Sequence, residues 1–224
     1  MKMAVLQFDT CNADSPRFER SMREVWNQTL QVIISFVIQN PILTTERLIL
    51  RRWGESDREP FARMNADPRV MEFFAERLSR QGSDALVDRA EAHFREHGFG
   101  PCAAEFRGDR TFIGFIGLSI PSFQTHFTPC VEIGWRLAAN YWGQGLATEG
   151  ARAAVRYGFE TLGLQEIDSF TVPANARSRR VMEKLGMTYN PADEFEHPML
   201  PEGHPSGAAC AVSVASDGVE TLKC

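Results

Sequence analysis

Gly143 and Gly145 are the residues of this 224-residue chain whose spacing speaks most directly of chemistry. They follow the run Glu132-Ile133-Gly134-Trp135-Arg136-Leu137 and precede Leu146-Ala147-Thr148-Glu149-Gly150. The segment reads as a strand entering a turn that opens a helix. Without a Cβ, a glycine lets the backbone bend sharply and approach a ligand closely. The first N–H groups of the helix have no partner within it, and its dipole adds positive potential at the same point. Such a turn binds phosphate or pyrophosphate. A P-loop would carry Lys-Ser or Lys-Thr after its last glycine, whereas Gly145 is followed by Leu146-Ala147. A dinucleotide-binding turn would carry a third glycine where Thr148 stands, and Gly150 comes two residues too late.

A second group of residues lies at 172–187. Asn175 is a good N-cap, because its side-chain oxygen accepts from free N–H groups of a helix. Gly186 suits the left-handed residue that ends one. Arg177, Arg180 and Lys184 fall at i, i+3 and i+7 and share a face. By itself this is a capped helix with a solvated basic face. Following a phosphate-binding turn, the same cations can meet phosphates.

Together, Asn140-Tyr141-Trp142-Gly143-Gln144-Gly145 and Asn175-Ala176-Arg177-Ser178 with Lys184-Leu185-Gly186-Met187 resemble the GNAT N-acetyltransferase superfamily. Its acetyl-CoA turn is Gln/Arg-x-x-Gly-x-Gly/Ala, and Asn140 departs from it at the first position. Tyr-Trp-Gly-x-Gly-x-Ala-Thr-Glu resembles the RimJ/RimL branch, which includes acetyltransferases of ribosomal-protein N-termini. The resemblance covers about residues 43–205.

It implies an α/β GNAT acyl-CoA N-acyltransferase fold, a mixed central sheet flanked by helices with a splay at the cofactor strand. It implies acetyl-CoA as cosubstrate and a primary amine as acceptor, either a protein N-terminus or a small molecule. The backbone of Trp135 and Leu137 then pairs with the pantetheine arm, and the N–H groups of Gly143, Gln144, Gly145, Leu146 and Ala147 hold the pyrophosphate. Asn175 bonds the pantetheine, with Arg180 and Lys184 nearer the nucleotide end. Where many relatives have a tyrosine acid stands Met182, which cannot donate a proton, so the branch's serine, Ser178, is the expected acid. Glu132 on the cofactor strand is the expected base. Each has a plain structural alternative: a serine bonding locally in a first turn, and a strand glutamate paired with Arg136 on the same face. Glu149 fits the dipole at a helix start and needs no further role.

The elements that must position these groups follow from periodicity and punctuation. Helices are expected at 56–65 and 83–97, strands at 102–106 and 111–120 joined by a turn-rich link, and a strand at 131–137. A helix at 148–162, stopped by Gly163, leads to a strand at 167–172 parallel to the one before it. Leu43 to Arg51 reads as the first strand. Residues 208–215 are small and soft, and predict a poor final strand or none. Residues 1–40 read as a separate extension, helical from Ser15-Pro16 and broken at Asn40-Pro41; it is a packing or dimerisation helix, or chain upstream of a start at Met22. The expected organisation is thus 1–40, a domain at 41–205, and an atypical tail at 206–224.

Composition sets the outer limits. Hydrophobic residues are 43% and charged residues 24%, ordinary for a globular chain. A net charge of −5 argues against a general nucleic-acid binder. The apolar run 32–38 is far short of the ~20 residues that span a bilayer. Five cysteines without a C-x-x-C pair suit reduced thiols in a cytoplasm. His93 and His97 are four apart, but lack the third ligand and the glutamate of a metal-binding helix, so no metal is expected. The chain is therefore expected to be a cytoplasmic monomer or homodimer. The rival class is a non-catalytic acyl-CoA-binding regulatory module, favoured by Asn140, Met182 and the odd last strand.

Overall fold

The computed structural model describes residues 41–196, 198 and 208–216. The extension at 1–40, with its expected helix, lies outside the described residues, as do His197 and His204. Among those described, no helix is long and apolar enough to cross a membrane.

The chain forms strands β1 (Pro41–Thr44) and β2 (Leu48–Arg51), helices α1 (Glu55–Ala66) and α2 (Arg80–His97), and strands β3 (Pro101–Phe106), β4 (Phe112–Ser119) and β5 (Glu132–Leu137). A short 3₁₀ turn at Ala139–Tyr141 leads to α3 (Leu146–Glu160) and β6 (Glu166–Thr171). Then come α4 (Ala176–Lys184), β7 (Thr188–Glu196) and β8 (Ala208–Ala215). The sheet order is β1-β2-β3-β4-β5-β6-β8-β7. All neighbours are antiparallel except β5 and β6, whose parallel pairing is the one expected from the helix between them.

Two expectations are corrected. The single first strand is a hairpin: Thr45 N–H donates to the Leu48 carbonyl at 2.9 Å and turns the chain between β1 and β2. The last strand is not missing either. β8 runs eight residues and lies between β6 and β7, paired on both sides. Ladder hydrogen bonds come from backbone groups that any residue carries, and a strand bonded on both sides needs no large side chains. Ala209 and Ala211 are buried there, and Val214 joins the core.

Alternation along the strands gives the sheet two apolar faces. Ile113, Ile116, Ile133 and Leu137 pack with Leu146, Ala151, Val155 and Phe159 of α3. On the other side Ala103 packs with Trp53, with Phe61 and Met64 of α1, and with Val87 and Ala90 of α2. A buried charge cluster fixes α1 to the sheet. Arg51 donates to Asp57 at 2.7 and 2.9 Å and to Glu105 at 2.8 Å. Asp57 also accepts from Gly54 N–H at 2.8 Å and so caps the helix it anchors.

His93 has a structural use. Its Nδ1 donates to the Phe99 carbonyl at 2.8 Å and its Nε2 accepts from Ile120 N–H at 2.9 Å. Burial lowers its pKa, in keeping with this neutral tautomer.

Candidate active site

β5 meets β6 at a single ladder pair, Glu132 with Asp168. Asp168 N–H donates to the Val131 carbonyl at 2.9 Å, and Ser169 Oγ donates to the Ile133 carbonyl at 2.9 Å. Beyond that the two strands part, and among the described residues no strand lies beside the edge of β5 from Gly134 to Leu137 on the β6 side. This is the expected splay. Trp142 Nε1 donates to the Leu137 carbonyl at 2.7 Å and so ties the end of β5 to the turn that follows.

That turn has left-handed backbone at Gly143 (φ 73°) and Gly145 (φ 80°), a conformation glycine adopts without a Cβ penalty. Among the described residues, no acceptor meets the N–H groups of Gly143, Gln144 and Gly145, and the first N–H groups of α3 are free by helix geometry. The Gln144 side chain does not join them, because its Nε2 donates back to the Asn140 carbonyl at 3.0 Å. Gln144 offers its backbone alone.

The position of the turn comes from far away in sequence. Glu149, in the first turn of α3, accepts from Thr45 Oγ1 at 2.5 Å, Arg47 N–H at 2.8 Å and Arg47 Nε at 2.7 Å. Burial alone would raise its pKa, but these donors hold it below its usual range. Arg47 Nη1 also donates to the Gln144 carbonyl at 2.9 Å. The β1–β2 hairpin thereby clamps both ends of the turn. Glu149 does more than favour a dipole, and Arg47 carries no motif that would mark it.

α4 supplies the opposite wall. Asn175 Oδ1 accepts from Ser178 N–H at 3.2 Å, the expected N-cap. Its Nδ2 donates to Ser178 Oγ at 3.1 Å and to Thr171 Oγ1 at 3.1 Å. Since Ser178 Oγ accepts from Asn175, its own hydroxyl proton is free to be donated elsewhere. Asn175→Ala is expected to cost about 1 kcal/mol through loss of the cap. Chemical denaturation of the ligand-free protein checks this, with an unchanged midpoint as the contrary result.

One cleft of about 370 Å³ gathers these parts. Trp135, Leu137, Gly143, Gly145, Leu146, Ala147, Asn175, Ser178, Arg180 and Lys184 all line it, as do Arg136 and Arg177. Arg177 stacks over Trp142 at 4.5 Å and pairs with Glu72 at 2.6 Å. Val70, Phe73 and Phe74, from the segment after α1, complete the lining. Sequence reading missed these three because no periodicity or motif marks that irregular segment.

Glu132 is not among the lining residues. It sits three residues back from Trp135, at the closed end of the splay. It pairs there not with Arg136 but with Ser119, whose Oγ donates to it at 2.9 Å. Burial, reinforced by the negative Asp168 and opposed by the Ser119 hydrogen bond, pushes its pKa up to about 7. Arg136, on the same face of β5, instead reaches α1, where Nη1 donates to Asn65 Oδ1 at 2.8 Å.

Residues 47–188 match the model of the acetyltransferase (GNAT) domain, which is most of the described chain. The chain belongs to the GNAT acetyltransferase family. It is an acetyl-CoA-dependent N-acetyltransferase. It is 36% identical over 162 residues to an Aspergillus fumigatus protein named FsC-acetyl coenzyme A-N(2)-transacetylase, a match covering 66% of each chain. A Bacillus subtilis relative, YkkB, is 30% identical over 66% of this chain and 86% of its own. The acetyltransferase of Agrobacterium tumefaciens superposes with a TM-score of 0.63 at 26% identity, over 79% of this chain and 95% of that one. Mycobacterium smegmatis RimJ in complex with CoA-disulfide has the same fold (TM-score 0.61, 18% identity, 77% of this chain and 83% of that one). None of these relatives supports the non-catalytic alternative.

Proposed function

We propose that this acetyltransferase carries the acetyl group of acetyl-CoA to a primary amine, a protein N-terminus or a small molecule, in the manner of the RimJ/RimL branch. The observation that carries this is the cleft, where an unpaired strand edge, an N–H-rich turn and a capped helix start converge. The name of the fungal relative, a transacetylase acting at nitrogen, points the same way.

Bound acetyl-CoA supplies an acyl group activated as a thioester. The backbone of Trp135 and Leu137 binds the pantetheine, with Asn175 opposite. The N–H groups from Gly143 to Ala147 receive the pyrophosphate, and Arg180 and Lys184 neutralise the nucleotide end. The net reaction forms an N–C bond to the acetyl carbon and breaks the C–S bond, one amine proton ending on sulfur. Ser178 Oγ, free to donate, serves as the acid. Glu132, poised near neutrality, serves as the base. It works through water along the β5 face, where Gly134 puts no side chain between Glu132 and Arg136. We infer a cytoplasmic enzyme, a monomer or homodimer, whose Cys102 and Cys130 stay reduced.

Thermal unfolding with acetyl-CoA, NAD and ATP tests the cofactor. At 100 times Kd, acetyl-CoA is expected to add about 2.7 kcal/mol, roughly 5–10 °C for a chain of this size, while NAD adds nothing comparable. A folded protein whose melting point ignores acetyl-CoA contradicts the proposal.

A further inference from the structure

The acceptor is still unnamed, and one side chain in the cleft narrows it. The partly or fully buried arginines around the site are each matched by acid: Arg47 by Glu149, Arg51 by Asp57 and Glu105, Arg52 by Glu91. Arg136 is not. Among the described residues no carboxylate pairs with it. Its Nη1 donates to the neutral Asn65, and its Nε is shielded from solvent with no acceptor. Burial pulls its pKa down to about 10, which leaves it a cation at neutral pH.

Arg136 is half-buried, and withdrawing even part of a guanidinium from water without a counter-charge is costly. A buried donor without an acceptor adds to that cost and calls for an explanation. What faces the charge is aromatic: Phe74 lies 4.0 Å below the guanidinium carbon and Phe115 5.7 Å away. Phe74 is 44% exposed, so the ring that covers the cation is itself free to yield to a ligand. Asn65 in turn is locked by Ser83 Oγ at 2.9 Å, which fixes the guanidinium from behind. The result is a rigidly held, charge-unsatisfied fork in the lining of the cleft. Among the described residues, no Asp or Glu lines that cleft.

We propose that Arg136 selects the acceptor: the amine substrate bears a carboxylate that docks on this guanidinium while its nitrogen faces the acetyl group. This rests on the acetyltransferase function proposed above. A planar fork matches a carboxylate with two parallel hydrogen bonds and at the same time supplies its missing counter-charge. An α-amino acid carries the amine and the carboxylate at fixed separation; so does a peptide whose first residue is Asp or Glu. A polyamine brings only positive charge to a lining that, among the described residues, holds arginine and no acid.

The test uses the full chain with saturating acetyl-CoA and follows thiol release. Acceptors are free L-amino acids, the same amino acids as carboxamides, peptides beginning with Asp, Glu or Ser, and spermidine. We expect kcat/KM for the free acids, or for the Asp- and Glu-led peptides alone, to exceed that of uncharged counterparts by roughly 100-fold. The arm that responds identifies which source supplies the carboxylate. In Arg136→Gln the acid-to-amide ratio should collapse to near one, and Arg136→Lys should keep part of it. The ratio distinguishes lost recognition from general damage, and the wild-type panel is decisive even if a variant folds poorly. Equal turnover of acids and amides, preference for spermidine, or no turnover of any carboxylate-bearing amine by a protein that acetyl-CoA stabilises would overturn this inference alone. Absence of that stabilisation would instead remove the function on which it rests.

Discussion

Gly114→Ala is expected to leave little folded enzyme, with a loss of more than about 4 kcal/mol, in the range reserved for severe core lesions. Gly114 has φ 139°, which side chains rarely adopt. A Cβ there would overlap the Arg136 carbonyl oxygen and stand 2.9 Å from Leu137 Cα. Both are backbone atoms of the cofactor strand, so no side chain can rotate away. The register between β3 and β4 shifts beside this glycine, from Ala104–Gly114 to Glu105–Phe112, as at a β-bulge. The Ile113 carbonyl then accepts from Ala138 N–H at 2.9 Å and starts the chain toward the Gly143 turn. Added bulk must therefore push β4 from β5 and disturb the edge that faces the cleft. Soluble yield and melting temperature are the measurements. Gly143→Ala is the control, since a Cβ there meets nothing within 4 Å and only the left-handed φ of 73° is penalised, about 1–2 kcal/mol. A well-folded Gly114→Ala protein would mean that β4 and β5 yield more than their register suggests.

Glu132→Gln should lower kcat by about 10²–10⁴-fold if the carboxylate is the base. With its pKa near 7, wild-type kcat should rise as pH climbs through neutrality and level off once the carboxylate is ionised. Gln should abolish that limb. Stability moves in the opposite direction. The folded pKa is raised from 4.5 to about 7, so the unfolded chain loses this proton first. The contribution of Glu132 is then fully present below pH 4.5, declines between 4.5 and 7, and stays lost above. Glu132→Gln should therefore melt less differently at pH 5 and pH 8 than the wild type does. An unchanged kcat with an unchanged pH profile would remove Glu132 from the mechanism. A lost stability dependence with intact kcat would leave it a half-buried strand residue bonded to Ser119.

The strand, turn and helix of the cofactor site were legible because they are local. Alternation, two glycines and an N-cap act over a few residues, and their geometry follows from backbone sterics and unpaired N–H groups. The same holds for Asn175 and Ser178, whose mutual bonds lie within one helical turn. The β1–β2 hairpin and β8 were misread for a related reason. A turn at Thr45 without glycine or proline gives no local sign, and a small-residue strand is sustained by neighbours that lie far off in sequence.

The sequence by itself determined the family, the order of the central elements and the residues that present N–H groups to a phosphate. Tertiary structure alone decided the rest. It joined Arg47 to Glu149 across 102 residues, brought Phe73 and Phe74 to the cleft, and set Glu132 at the closed end of the splay. It also surrounded Arg136 with an amide and two rings, where pairing with Glu132 was the alternative reading of that strand. The reason is physical: hydrogen-bonding pattern and backbone freedom are written in adjacent residues, whereas the charge balance of a buried side chain depends on what the fold packs against it.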